Sequence, residues 1–123
     1  MIHFEKNRKY IVIQDRESDY PDPISLKPND RVEVVGEYSG KEAWPDWIRC
    51  RNQGNEGWVP RQIIQIQGNA GIILEEYSAS EMRIGKNDII NGEKEVNGWI
   101  WGTNQTNGEV GWVPLEYISE TDD

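Results

Sequence analysis

Short apolar runs separated by turn residues fill the chain, and each run has the length and chemistry of a strand. Tyr10-Ile11-Val12-Ile13, Arg31-Val32-Glu33-Val34-Val35, Trp47-Ile48-Arg49-Cys50, Ile63-Ile64-Gln65-Ile66, Gly71-Ile72-Ile73-Leu74, Trp99-Ile100-Trp101 and Gly111-Trp112-Val113 are rich in β-branched and aromatic residues. Ile24/Leu26 and Met82/Ile84 alternate with polar neighbours, which turns one face of each segment toward a core. No stretch holds a helical period for three turns. Turn chemistry lies between the runs: Asn-Gly at 91–92, 97–98 and 107–108, Pro-Asp at 21–22 and 45–46, Ser39-Gly40, and Asn-Asp turns closed by Asp30 and Asp88. The pattern predicts small antiparallel barrels without helices.

One motif occurs twice. Gly-x-x-Gly-Trp-Val-Pro is spelled by Gly54, Gly57, Trp58, Val59 and Pro60 and again by Gly108, Gly111, Trp112, Val113 and Pro114. The spacing is that of a small all-β module, so the repeat predicts two barrels in series. Domains of roughly 55–65 residues fold unaided, so a chain of 123 residues accommodates two. The few polar residues at Gln67, Gly68 and Asn69 read as a short linker, which divides the chain into modules 1–67 and 68–123.

Charge separates the halves. Residues 1–67 carry ten Lys/Arg against eleven Asp/Glu, and residues 68–123 carry three against eleven, so net charges of −1 and −8 make up the total of −9. An acidic second half opposes nucleic-acid phosphate and anionic lipid and favours a basic partner. The basic cluster Lys6, Arg8 and Lys9 is too small for a nucleic-acid stripe. No apolar run reaches the ~20 residues that span a bilayer, and the N-terminus lacks a signal-peptide segment, which predicts a cytoplasmic protein. Cys50 and His3, one of each type, make neither a disulfide nor a Cys/His zinc site, and Cys50 reads as a core residue.

The order of motifs resembles that of Src-homology-3 (SH3) domains, twice over, and the bacterial variant-SH3 type in particular. In the first half, Ile11-Val12-Ile13-Gln14-Asp15, Ile24-Ser25-Leu26-Lys27-Pro28-Asn29-Asp30, Trp47-Ile48-Arg49-Cys50-Arg51 and Gly57-Trp58-Val59-Pro60 followed by Ile63-Ile64 carry the likeness. In the second, Ile73-Leu74-Glu75-Glu76-Tyr77-Ser78-Ala79 is similar to the family's Ala-Leu-Tyr-Asp-Tyr opening, and Met82 to Asp88 to its Leu-Ser-Phe-Lys-Lys-Gly-Asp element. Trp99-Ile100-Trp101-Gly102 and Gly111-Trp112-Val113-Pro114 with Tyr117-Ile118 complete it. The likeness runs from about Tyr10 to Ser119 and implies tandem SH3-like antiparallel β-barrels joined by a short linker. Cys50 and Gly102 fall at equivalent crowded places, three residues after Trp47 and Trp99.

Family members grip left-handed polyproline segments in a groove of aromatic residues. The resemblance puts that groove on Tyr77, Trp99, Pro114 and Tyr117 in the second half, with Trp112 as a further wall and Glu75 replacing one tyrosine. Glu76, Glu81, Glu93 and Glu95 stand in the loops where the family selects a basic ligand side chain. In the first half the same positions are Gln14, Arg16, Trp47, Pro60 and Ile63, so only Trp47 and Pro60, with Trp58 beside them, remain of the groove. Trp101 lies on the face of Trp99, and Trp44 has no match in the family pattern.

These readings imply a non-catalytic bacterial adaptor whose second module binds a proline-containing or basic peptide. No nucleophile–base pair, phosphate loop or metal cluster argues for an enzyme or a cofactor. Two alternatives stand beside it: binding of cell-wall peptides by tandem bacterial SH3-like modules, and a structural or assembly role with the groove occupied internally.

Overall fold

In the computed structural model, residues 3–18 and 22–121 are described, residues 3–7 as backbone only; Pro21 and the side chain of His3 lie outside them. Among these residues the strands are β1 (His3–Val12), β2 (Ser25–Leu26), β3 (Arg31–Glu37), β4 (Trp47–Asn52), β5 (Asn55–Pro60), β6 (Ile64–Gln67), β7 (Ala70–Ile73), β8 (Tyr77–Ser78), β9 (Ile89–Val96), β10 (Trp99–Asn104), β11 (Val110–Pro114) and β12 (Ile118–Glu120). The only helical turns described are 3-10, at Arg61–Ile63 and Leu115–Tyr117. No helix among these residues is long and apolar enough to cross a membrane.

The segment that reads as a linker decides the architecture. Gly68, at φ 63, and Asn69 form a two-residue turn between paired Gln67 and Ala70, with Ile64 opposite Ile73 at the far end of the hairpin. Such a loop reverses the chain within its own sheet and cannot carry it to a second one. β7 therefore lies beside β6, and its other edge pairs with β3, Arg31 opposite Ile72. The first sheet runs β5-β4-β3-β7-β6, and Leu26 of β2 pairs with Tyr77 of β8.

The opening strand of the second half thus completes the first unit, and the converse exchange completes the second. β1 lies between β9 and β12, with Tyr10 opposite both Ile90 and Glu120, and the sheet order is β11-β10-β9-β1-β12. Among the described residues the two compact units are 22–79, and 3–18 together with 80–121. A boundary at residue 67 follows the sequence repeat but not these units, because the hairpin at Gly68 carries residues 70–79 into the first.

Exchange also redistributes charge. Residues 22–79 hold six Lys/Arg against nine Asp/Glu, and residues 2–21 with 80–123 hold seven against thirteen, so the units carry −3 and −6 in place of −1 and −8. Basic residues of the first half meet acidic residues of the second: Arg8 stands 3.7 Å from Glu120 and Arg16 2.5 Å from Glu81.

Each core follows the alternation in the sequence. Ile24, Leu26, Met82 and Ile84 are buried, whereas Ser25 and Arg83 between them are exposed. Tyr10, Val12, Met82, Ile84, Ile90, Ile100, Val113 and Ile118 form one cluster in the second unit. Both Asn-Asp turns form: Asp30 Oδ2 accepts from Lys27 N and Asp88 Oδ2 from Gly85 N, each at 2.9 Å, with Asn29 and Asn87 in the left-handed region. Asp88 Oδ2 also accepts from Nδ2 of the fully buried Asn104 at 2.9 Å, which satisfies a polar side chain inside the core. Asn97-Gly98 makes the hairpin turn between Val96 and Trp99, but Asn91-Gly92 lies within β9. There Gly92 serves close packing, since a Cβ would meet Ile100 Cδ1 at 2.5 Å and Tyr10 Cε2 at 2.8 Å.

Cys50 is fully buried between Val34 and Gly57, and burial pushes its thiol up to about 11. The raised value leaves the thiol protonated at neutral pH, where the thiolate is the reactive form. We expect no labelling of Cys50 by a thiol reagent at pH 7.5 in the folded protein and full labelling in denaturant; rapid labelling of the folded protein would contradict the burial.

Candidate functional site

The aromatic face of the second unit is built by paired strands. Trp99 of β10 is opposite Pro114 of β11, and Trp101 is opposite Trp112, their rings edge to face at 5.3 Å. Tyr117 follows on the 3-10 turn that Pro114 starts. Glu81 reaches the same face through a bridge to Trp112, fixed by Met82 N donating to Trp112 O at 3.0 Å and Trp112 N to Ser80 O at 2.9 Å.

Into this face the continuation of β1 brings Arg16. Its backbone is held by reciprocal hydrogen bonds with Ile84 of 3.0 and 2.9 Å. Its guanidinium carbon lies 5.1 Å from the Trp99 ring centroid and 5.7 Å from that of Tyr117, while Nη1 donates to Glu81 Oε1 at 2.5 Å. Both side chains of the pair are nearly enclosed, 14% and 13% exposed. A planar guanidinium suits this geometry because it stacks on rings and bonds a carboxylate with the same group. Removing one member of a buried pair strands the other charge at a cost of about 3–5 kcal/mol when burial is complete, and less here at the rim.

The groove residues expected from the sequence are regrouped by the exchange. Trp99, Trp112, Pro114 and Tyr117 stay together with Glu81, Glu93 and Glu95 in the second unit, but Tyr77 and Glu76 belong to the first. Trp99 is 7% exposed, Trp112 3% and Pro114 under 2%, so these side chains do not line an open trough; Tyr117 is half-buried. Of the carboxylates, Glu81 is the one at the rings. Glu93 and Glu95 are exposed, and Glu95 pairs with Ile100 on the strand face opposite Lys94. Lys94 itself covers the tryptophans, its ammonium 5.7 Å from Trp101 and 5.8 Å from Trp112. Arg16 and Lys94 were absent from the expected site. The signal for Arg16 was a basic residue at the place of an aromatic in the opening motif, legible only once its strand is assigned to the other half.

In the first unit Trp47 is opposite Pro60, and both are buried, as is Ile63 at the position of Tyr117. Tyr77 is buried in the same unit, and its hydroxyl donates to Trp58 O at 2.8 Å. Tyr38 lies against Trp58 at 5.4 Å and Trp44 at 5.9 Å, with Lys41 Nζ 4.4 Å from Trp44 and the Arg49 guanidinium 5.4 Å from Trp58. Arg49 is also bonded to Glu56 at 2.8 Å, and Glu56 is held below the usual carboxylate range by Arg51 and then Arg49. This group gives Trp44 a place that the motif pattern did not offer.

Comparison with known families matches the chain to the variant SH3 domain, over residues 9–67 and again over 74–121. The Drosophila melanogaster protein nervous wreck is 37% identical over 65 residues, which cover 51% of this chain and 6% of that protein. The chain therefore corresponds to a small part of this relative. The matched regions follow the sequence repeats; the compact units exchange the opening strands between them.

Proposed function

Because the chain belongs to the variant SH3 domain family, whose members are protein-interaction modules, we propose that it is a non-catalytic interaction protein of the cytoplasm and that its second unit recognises a proline-containing, basic peptide segment. The observation that carries this reading is the Arg16 stack. A guanidinium between the Trp99 and Tyr117 rings, bonded to Glu81, is the set of contacts that an arginine of a ligand would make there. Tyr117, at the stack, and Trp101, on the same strand as Trp99, are both half-buried and offer ring surface for proline contacts.

The burial of Trp99 and Pro114 favours a second reading, an assembly role with the groove filled from within. Titration with a proline-rich peptide carrying one arginine separates the two. On the first reading, tryptophan fluorescence changes saturably in the wild type and the change is lost in Trp99→Ala. A wild type without response, or an undiminished response in the folded variant, would refute peptide recognition at this face.

A further inference from the structure

We infer that Arg16 is an internal competitor for the side-chain pocket formed by Trp99, Tyr117 and Glu81, delivered there by the exchanged strand, so that an arginine of a partner enters only as Arg16 leaves. The inference rests on the reading of this face as a ligand site and adds its regulation. Three features support it. Arg16 satisfies each recognition group at once, two rings and one carboxylate, and thus uses what an incoming cation would need. It arrives on a segment from the other sequence half, and the residue at its place in the second half's own opening motif is Tyr77, which the first unit holds through Trp58 O. The occupant of this pocket is therefore fixed by the strand exchange.

The third feature is a place for Arg16 to go. Arg16 is among the residues bordering an open cleft of about 400 Å³, together with the carboxylates Asp15, Glu17 and Asp88 and one other cation, Arg83. A displaced guanidinium can turn toward that solvent-open cleft, where three carboxylates stand against the one cation Arg83, so release does not leave a bare charge in an apolar site. A ligand arginine then gains the stack and the ion pair, while Arg16 keeps a charged and hydrated surround. Competition of this kind lowers apparent affinity by the fraction of molecules in which the pocket is open.

The test uses N-acetyl-arginine amide as the probe and its neutral isostere N-acetyl-citrulline amide as control, read on the Trp99 indole N–H resonance in the full chain. With Arg16→Ala, the arginine probe is expected to shift this resonance saturably at a concentration at least about tenfold below that needed with the wild type, and the citrulline probe is expected to do little. Arg16→Met keeps the aliphatic stem against the rings and serves if the alanine variant is unfolded. Equal response of wild type and folded variant overturns the inference, as does equal response to the two probes or none. Failure of both variants to fold overturns it too, since Arg16 is then a structural element. Because the probe contains no proline, failure here leaves the peptide titration to decide the wider reading by itself.

Discussion

Gly102→Ala is expected to destabilise the second unit by about 3 kcal/mol, at the upper end of what overpacking costs. A Cβ at this position would stand 2.3 Å from Asn91 O, 3.1 Å from Asn91 C and 3.2 Å from Gly92 Cα. These are backbone atoms of the neighbouring strand, so relief requires the β9–β10 ladder to part at its bulge. Gly102 is paired with Gly92 on one side and Gly111 on the other, and at Gly111 a Cβ would meet Met82 N at 2.8 Å and Ser80 O at 3.0 Å. The three glycines let the sheet and the Ser80–Met82 segment approach as closely as the core demands. Chemical denaturation of the variant should show the loss, and melting should fall by more than about 10 °C for a unit of this size. Cys50→Ala, at the equivalent place between Val34 and Gly57, should cost only about 1 kcal/mol, because the first unit already accepts a Cβ there. A Gly102→Ala protein within about 0.5 kcal/mol of the wild type would show that the strands yield easily, contrary to this packing.

The comparison of Cys50 with Gly102 marks how far the sequence could be read. Strand positions, the inward alternation of Ile24, Leu26, Met82 and Ile84, and the Asn-Asp turns are local matters of pattern and turn chemistry, and all are in the structure. What pairs with what is not local. Tyr10 to Ile13 and Gly71 to Leu74 carry similar apolar patterns, so periodicity alone cannot assign them to a sheet. The deciding signal is two residues long: Gly68-Asn69 suits a tight hairpin as well as it suits a linker, and its meaning depends on the strands at both sides. Once β1 is in the acidic unit, Arg16 meets Glu81 and the aromatic face changes from an open trough to an occupied one. The repeat names Trp99, Trp112, Pro114 and Tyr117 as candidates but neither Arg16 nor Lys94 as their neighbours, because the grouping follows from a choice of partner strand that the repeat leaves open.

A disulfide between the two sequence halves would record that choice. In a Cys50→Ala background, Ile11→Cys with Ser119→Cys is expected to close spontaneously under mild oxidation and to stabilise the protein by about 4 kcal/mol. Ile11 of β1 is directly opposite Ser119 of β12, between the hydrogen bonds of Ile13 N to Tyr117 O and Thr121 N to Lys9 O, both 2.9 Å. Hydrogen-bonded antiparallel partners have Cα atoms about 5.5 Å apart, within the range a disulfide bridges without strain. Ile11 is half-buried and Ser119 exposed, so the substitutions spare the core. The closed loop is long, and for roughly 100 residues the entropy removed from the unfolded chain corresponds to about 4.7 kcal/mol, less any strain in the native bond. In a pairing confined to each repeat, Ile11 would instead face Gln65, the residue at the place of Ser119 in the first half. Here Gln65 is opposite Ile72, so Ile11→Cys with Gln65→Cys should remain reduced. Peptide mapping identifies the bond, and denaturation with and without reductant measures its effect. Closure of the 11–65 pair with the 11–119 pair left open would establish two barrels without exchange, and would return Tyr77 to the face of Trp99.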